Sequence, residues 1–511
     1  MYANISPAIV SAFAQNPNFT GESSGYLISI NMYGTAFGAL AMSFFVDRLN
    51  WRRTATWLLT FLILFDLISI AFGDPNYLYA IRFSHGLMSG SLVALAYAAI
   101  ARRANPEKIL ALAIMLQLFF GGILILLLTP LIQAYGPTII WLCLIVFYLI
   151  AFLFTPLLSN YTVNKNIAQI EANYASASRT LIAITLVAYF LFQSGQFAVF
   201  SYVIELGLTH EFDSEFTSRA VAMGLWVGGP AALFVTWWSI RTGRLLPIVI
   251  ASSLQIISIA ILLLPYQSLF LAGNIGFGIF FSIAHPYILG VASELDNTGR
   301  IAALAAFAGS LGLATGPGVG AVLVGESNYD RVALFAILIL TLSLILIILP
   351  AYFLDANIKG LRAKLGLRTA REDDETLAKD FLDLLEREQA DFTLAFRRLS
   401  EISGPEPEPS VRDIFDFEPV YGVWLEAWRS RCASEDFPRR QAAMLSTNPV
   451  VIPRNHLVED AIRAASDDDD LSVFESLNNV LANPFSLEDI DPKFTLPPRS
   501  DQIVRQTFCG T

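Results

Sequence analysis

Stretches of roughly 20 predominantly apolar residues, the length a helix needs to cross a hydrocarbon layer about 30 Å thick, recur throughout the first 355 residues of this chain. They fall near 25–46, 55–73, 77–100, 108–132, 138–157, 180–204, 217–238, 245–264, 268–292, 301–324 and 330–353. Lipid offers no water to backbone groups, and the runs are too long and continuous for barrel strands, so helices are required. The chain is 55% hydrophobic and 15% charged, with a mean hydropathy of +0.55, which makes lipid the expected solvent. Charge is sparse before about residue 355 and dense from Lys359 onward. The expected fold is all-α: a polytopic membrane helix bundle of about 11 spans, followed by a mostly helical soluble C-terminal tail.

The net charge of -11 belongs mainly to that tail, where Glu372-Asp373-Asp374-Glu375 and Asp467-Asp468-Asp469-Asp470 lie; this argues against a nucleic-acid partner. Cys143, Cys432 and Cys509 are far apart and form no CxxC pair, so neither a disulfide framework nor a zinc site is indicated. Met1 to Gln15 lacks the charged start and short apolar core of a signal peptide.

Orientation follows from the lysines and arginines of short loops. Arg48, Arg52 and Arg53 follow the first span; Arg102, Arg103 and Lys108 the third; Lys165 and Arg179 the fifth; Arg241 and Arg244 the seventh; Arg300 the ninth. These loops are predicted to be cytoplasmic, together with the tail. The alternate loops, with Asp74, then Glu211, Asp213 and Glu215, and later Glu326, Asp330 and Arg331, are expected to face outward. An integral protein of a bacterial inner (plasma) membrane is expected, with the lipid bilayer and a small-molecule solute as partners.

The longest internal loop, 158–178, is polar and separates an N-terminal half, 1–157, from a second half, 179–355. Similar basic turns occur in both halves, Asp47-Arg48-Leu49-Asn50-Trp51-Arg52-Arg53 and Ile240-Arg241-Thr242-Gly243-Arg244, as internal duplication produces. The first of these turns resembles the loop motif of the major facilitator superfamily, with Asn50 in place of a glycine as a residue that tolerates a left-handed turn. Ile81-Arg82-Phe83-Ser84-His85-Gly86-Leu87-Met88-Ser89-Gly90 is similar to the fourth-helix motif of that family, and Gly312, Gly316-Pro317-Gly318 and Gly320 resemble its small-residue packing pattern. The resemblance covers about residues 1–355 and implies a two-half solute transporter working by alternating access. Against the family's twelve helices, Met1 to Phe13 corresponds to only the last turns of the first helix.

Polar residues inside apolar spans are costly and are functional candidates by default. Asp66 and Arg82 lie at similar depth near the outer ends of consecutive spans, given 1.5 Å of rise per residue. They are candidates for an ion pair, structural or proton-coupling. His85 and Ser89 follow Arg82 on one helix face, and His85 suits either a proton relay or a plain interhelical hydrogen bond. Tyr189, Gln193 and Gln196 form one polar stripe; Asn274, Phe281 and His285 form another. The substrate-cavity candidates are Arg82, His85, Gln117, Gln193, Gln196, Asn274 and His285, weighed against roles in helix–helix adhesion. Asn31 is a weaker candidate. Glu205 and Glu294, at helix ends, are expected to be solvated.

In the tail, Thr376 to Leu385 shows helical spacing, Gly404 to Pro409 reads as a stiff linker, and helices are predicted at about 420–434, 455–466 and 470–482. Residues 359–511 resemble the C-terminal part of the selenoprotein O family of protein adenylyltransferases. The resemblance runs through Arg362-Ala363-Lys364-Leu365-Gly366-Leu367, Ala390-Asp391-Phe392-Thr393, Phe396-Arg397-Arg398-Leu399 and Trp428-Arg429-Ser430-Arg431, then Asn448 to His456, Asn483-Pro484-Phe485 and Phe508-Cys509-Gly510-Thr511. It implies a redox role for Cys509. The tail shows no Gly-rich loop and no cluster of metal-binding Asp and Asn of the kind nucleotide transfer needs. The chain is therefore expected not to be an enzyme, with no catalytic residues, metal or cofactor. Two alternatives stand beside transport: an adenylyltransferase relative whose other half comes from elsewhere, and a gene fusion at Asn357 to Gly360.

Overall fold

The computed structural model describes every residue except 1, 18, 47, 73, 102–105, 158–178, 239–242, 296–299, 326–327, 372, 403–417, 487, 489 and 505–511. Asp47, Arg102, Arg103, the 158–178 linker, Ile240 to Thr242, the Gly404 to Pro409 linker and Cys509 thus lie outside the described residues. The chain divides into two compact units, Met1–Leu354 and Asp355–Thr511. All regular structure among the described residues is helical.

In the first unit a 3-10 turn over Tyr2–Ile5 leads into α1 (Ser6–Ala14) and α2 (Gly21–Phe45). There follow α3 (Trp51–Ala71), α4 (Pro75–Ala101), α5 (Pro106–Tyr135), α6 (Ile139–Phe154), α7 (Arg179–Thr209), α8 (Ser214–Trp238), α9 (Leu245–Leu262), α10 (Gln267–Glu294), α11 (Arg300–Val324) and α12 (Asp330–Lys364). Every apolar window of the sequence coincides with one of α2 to α12. Ten of these, all but α8, are long and apolar enough to cross a membrane among the described residues. Large apolar side chains such as Phe44, Trp57, Leu153 and Leu338 are exposed on the bundle surface, the arrangement lipid favours over water. The junction at Asn357 to Gly360 lies within α12.

The helices pack in a repeating scheme. α2 lies along α4 and α8 along α10; α3 meets α4 and α9 meets α10; α1 meets α5 and α7 meets α11; α2 meets α11 and α5 meets α8. Adding six to each element number, counted around twelve, converts one contact of each pair into the other, which is the pairing of a duplicated six-element unit. α1 has buried side chains on every face from Ser6 to Phe13 and packs against α2, α5 and α7.

Glycines set the closest approaches. A Cβ on Gly86 would sit 2.1 Å from the Asn31 carbonyl oxygen, and one on Gly90 2.0 Å from that of Thr35. Rising numbers on α4 therefore meet rising numbers on α2, and the two helices run parallel in backbone contact. In the motif region of α11, Gly312 and Gly316 approach the carbonyls of Phe190 and Ser194 on α7 in the same manner.

The second unit contains α13 (Asp374–Arg387), α14 (Phe392–Glu401), α15 (Glu418–Cys432), α16 (Phe437–Thr447), α17 (Asn455–Asp467) and α18 (Ser472–Leu481). Its main core gathers Phe381, Phe396, Trp424 and Trp428. Phe381 stacks on Trp424 at 4.2 Å, and the two indole N–H groups donate to the carbonyls of Leu377 at 2.8 Å and Leu365 at 2.9 Å, so the aromatic core carries no orphaned donor there. A smaller core holds Val450, Val451, Leu457, Leu477 and Phe494.

Candidate functional site

α3 and α4 each turn one charged side chain into the bundle. Arg82 Nη1 lies 2.8 Å from Asp66 Oδ1, and both side chains are fully buried. Nη2 of Arg82 donates to the Phe65 carbonyl at 3.1 Å and to Ser69 Oγ, one turn from Asp66 on α3. The guanidinium lies 4.1 Å over the indole of Trp141 on α6, a cation–π contact in a site without solvent. A buried arginine needs this many partners, because its charge cannot be relieved by deprotonation.

His85, one helical turn beyond Arg82, is also fully buried. Asn31 of α2 donates through Nδ2 to the Arg82 carbonyl at 2.8 Å and faces His85 Nδ1 at 3.0 Å. An amide donor at Nδ1 places the ring proton on Nε2, which faces the Tyr148 hydroxyl at 3.1 Å and Asp66 Oδ1 at 3.7 Å. The Tyr2 ring lies 5.8 Å from His85 and stacks on Trp141 at 6.4 Å. Asp66 Oδ2 has no hydrogen-bond partner among the described residues. The cluster thus sets a fixed positive charge 2.8 Å and an imidazole 3.7 Å from one carboxylate oxygen, with supporting side chains from α2 and α6. Ser89 extends it along α4 by meeting Thr35 Oγ1 at 3.2 Å.

The second constellation lies between α7 and α10. Tyr189 and His285 meet at 2.8 Å through the hydroxyl and Nε2, and Phe192 stacks on Phe281 at 6.0 Å beside the His285 ring. Gln193 and Gln196 are both buried on α7; Gln193 Oε1 has no hydrogen-bond partner among the described residues. Asn274 is buried but turns its Nδ2 to the Phe270 carbonyl of its own helix at 2.9 Å, one turn back. Gln117 stands apart from both groups: its backbone carbonyl accepts from Asn4 Nδ2 at 2.9 Å, and its side chain is exposed.

At the basic turn Arg48, Arg52 and Arg53 are exposed. Asn50 corrects one expectation, since its φ is -77° and not left-handed; it caps α3 by accepting the Arg53 N–H at 3.0 Å. In the second half Gly243 does take the left-handed form, with φ at +77°. The adjoining Arg244 pairs with Glu294 in a largely buried contact. Glu294 and Glu205 therefore are not solvated as expected. Glu205 is 9% exposed, because α1 and the turn before α12 cover this end of α7. Asn31, Tyr148 and Trp141 are more central than sequence reasoning made them. Asn31 reads as a lone weak polar residue, and aromatic residues within a continuous apolar run give no periodic signal.

In the second unit Asp374 is fully buried and holds Arg431 Nε at 2.6 Å and Arg362 Nε at 3.0 Å, while accepting the Arg371 N–H at 2.8 Å. Asp391 caps α14 through the Leu394 N–H at 2.8 Å and takes both arms of Arg454, at 2.6 and 3.1 Å. Burial pushes the Asp391 carboxyl up, but the Arg454 fork and the Leu394 and Thr393 N–H groups outweigh it and hold the group below its usual range. Several residues quoted for the tail resemblance thus bond within this unit. Arg397 donates to the carbonyls of Leu445, Asn448 and Phe485, and Asn448 donates to the Lys364 carbonyl and to Ser400.

Comparison with known proteins separates the same two regions. The family model described as Major Facilitator Superfamily matches residues 1–317, and the one described as Protein adenylyltransferase SelO matches residues 342–482. Curated relatives named Protein nucleotidyltransferase YdiU are 44% identical over 164 residues in Bradyrhizobium diazoefficiens, covering 32% of this chain and 33% of the relative, and 45% identical over 162 residues in Rhodopseudomonas palustris, covering 31% and 33%. The chain spans about a third of the length of these relatives. Among solved structures, the crystal structure of a mutant of the nucleoside transporter NupG superposes with a TM-score of 0.52 at 13% identity, covering 68% of this chain and 95% of that one. This likeness shows the fold.

The nucleotidyltransferase matches overturn the expectation that the chain is not an enzyme: its C-terminal region is 44% identical to a relative named as a protein nucleotidyltransferase. That expectation rested on phosphate-cradle motifs missing from the tail. A segment spanning a third of its relatives is poorly judged by motifs that other parts of those relatives can hold.

Proposed function

Because the chain belongs to the Major Facilitator Superfamily, whose model matches its residues 1–317, we propose that this integral membrane protein carries a small solute by alternating access. The halves 1–157 and 179–355 rock about a central cavity, joined by the 158–178 linker. The observation that carries the reading is the buried Asp66–Arg82–His85 cluster, held where α2 and α4 meet backbone to backbone. Three ionisable groups in a dry bundle are costly, and groups kept at such cost mark ion and proton pathways. Asp66 and His85 are the proton-coupling pair in this reading, Arg82 fixes their electrostatics, and Gln193, Gln196 and His285 face the solute. In this reading the tail and the Arg48 turn lie on the cytoplasmic side of an inner membrane and the C-terminal end of α7 outside, which the loop charges support.

The test is flux of a panel of radiolabelled solutes into proteoliposomes, with and without a pH gradient. Transport of at least one solute is expected, with Asp66→Asn abolishing its stimulation by the gradient. Absence of flux for every panel member, with protein correctly inserted, counts against the reading. A second reading rests on the 44% identity of the tail to protein nucleotidyltransferases: the second unit takes part in nucleotidyl transfer to protein hydroxyls. Label transferred from α-³²P-ATP to protein by the purified full chain supports it; no transfer above a heat-treated control opposes it.

A further inference from the structure

Near the C-terminal end of α7 lies a carboxylate that the proposed transport cycle does not use. Glu205 is 9% exposed, and Ser11 of α1, Gln15 just after it and Tyr329, just before α12, lie beside it. Its Oε1 has no hydrogen-bond partner among the described residues. No lysine, arginine or histidine among them pairs with it. The neighbouring groups that carry or take up charge are few. Tyr202 on α7 has its ring 5.9 Å from that of Tyr329 and donates its hydroxyl to the Pro317 carbonyl of α11 at 3.0 Å. Glu22 and Tyr26 on α2 lie beyond Tyr202 and bond to each other at 3.1 Å. Asp330 and Arg331 of α12 are exposed, Glu215 and Arg219 of α8 pair with each other at 2.5 Å, and His210 turns to the Leu262 carbonyl at 3.1 Å.

Burying an unpaired ionised carboxylate costs several kcal/mol even after relaxation. A carboxylic acid in the same place is neutral and brings an O–H donor to a group of hydroxyl and amide partners. A route for the proton is also present. A cavity of ≈ 200 Å³ lies between α1, α5, α7 and α8, and its lining includes Ser11, Gln15, Thr129, Gln133, Ser214 and Ser218. It is polar and large enough for several waters, and Ser11 and Gln15 are the same side chains that reach Glu205.

We propose that Glu205 is a proton-binding site served by this cavity, and that the bound proton latches α1, α7 and the segment before α12 together. As this end closes, a proton from solution, carried as hydronium, passes to the carboxylate and leaves water behind. The acid returns it to water when the end opens and the carboxylate is hydrated. The latch rests on the alternating-access reading, because it needs an end that opens.

The test labels two introduced cysteines in the otherwise native full chain, in vesicles, with a membrane-impermeant maleimide read by peptide mass spectrometry. Ser201→Cys reports from a fully buried site facing Ser6 of α1 at 3.4 Å. Thr209→Cys, exposed at the end of the same helix, corrects for the reagent's own pH dependence. The 201-to-209 labelling ratio is expected to rise with pH, by up to about tenfold per unit, the limit for one linked proton. In Glu205→Gln, a neutral mimic of the acid, it stays low and flat. A measurable ratio that does not change with pH in the chain retaining Glu205 overturns the latch by itself, whether or not the Gln variant folds. An equal rise in both chains does the same. No labelling at position 201 at any pH, while 209 reacts, instead removes the opening end and with it the alternating-access reading.

Discussion

A buried ion pair is costly to form and costlier to break from one side, and the consequences at Asp66 and Arg82 are unequal. Asp66→Asn leaves the guanidinium with Ser69, the Phe65 carbonyl and the Trp141 face but no counter-charge, and is expected to cost about 3–5 kcal/mol. Adding Arg82→Met to Asp66→Asn recovers part of that loss. Thermal unfolding in detergent, comparing the single and double variants, checks the order; a double variant less stable than Asp66→Asn contradicts it. In the second unit Asp391 stands below its usual range, so its contribution is fully present above about pH 4, the ordinary Asp value, and is lost as pH falls through the lower folded value. Protection of the α14 amides, measured against their intrinsic exchange rate at each pH, should therefore fall below that pH in the native chain and be low throughout in Asp391→Ala, which also loses an N-cap of about 1 kcal/mol. Equal exchange in the two chains at pH 6 speaks against this. The depth of Asp66 and Arg82 was readable by counting residues from helix ends. Glu205 offered a signal of the same kind, a lone acid in the run Phe200 to Leu208, but proximity to the helix end hid its burial. The covering residues, Ser11 and Tyr329, are remote in sequence and carry no mark of their destination.

For elements, the apolar windows fix nearly everything, because a bilayer imposes length and helicity at once. The exception inside the first unit is α1, too short for a spanning window and placed by burial against α2, α5 and α7. In the tail, where water sets a weaker constraint, α13, α15, α17 and α18 were readable from amphipathic spacing. α14 and α16 were not read there; each is fixed by cap and core, α14 by Asp391, α16 by a Pro in its first turn and by Met444, which is buried in the main core. The α2–α4 contact makes a sharp prediction. Gly90→Ala forces a methyl into the Thr35 carbonyl at 2.0 Å, and backbone cannot yield as a flexible side chain can. Gly136→Ala, with no atom within 4 Å but φ at +78°, bears only local backbone strain. Gly90→Ala should reduce the folded yield in membranes several-fold, by fluorescence size exclusion, and Gly136→Ala much less; equal yields would show that the helices are not in the close register described.

The whole molecule is two units of different solvent, a lipid-facing bundle and a water-facing helical module. The charge shift at Lys359 marked that change in the sequence, and the matched families change somewhat earlier, between residues 317 and 342. The six-step repetition of helix contacts makes the first unit a pair of like halves, and the proposed alternating access is a rocking of one half against the other. What the tail does was the least legible part, because its well-connected residues, Arg397, Asp374 and Asn448, serve its own core. The most direct test of the central claim is electron–electron resonance between spin-label pairs at both ends of the bundle in lipid: Tyr135 with Tyr266, and Leu49 with Ser293, all exposed. Two distance populations at each end, with the short population of one rising as the short population of the other falls when pH changes, is the predicted result. A single distance at each end that stays fixed across pH, in folded protein, would contradict transport by rocking halves.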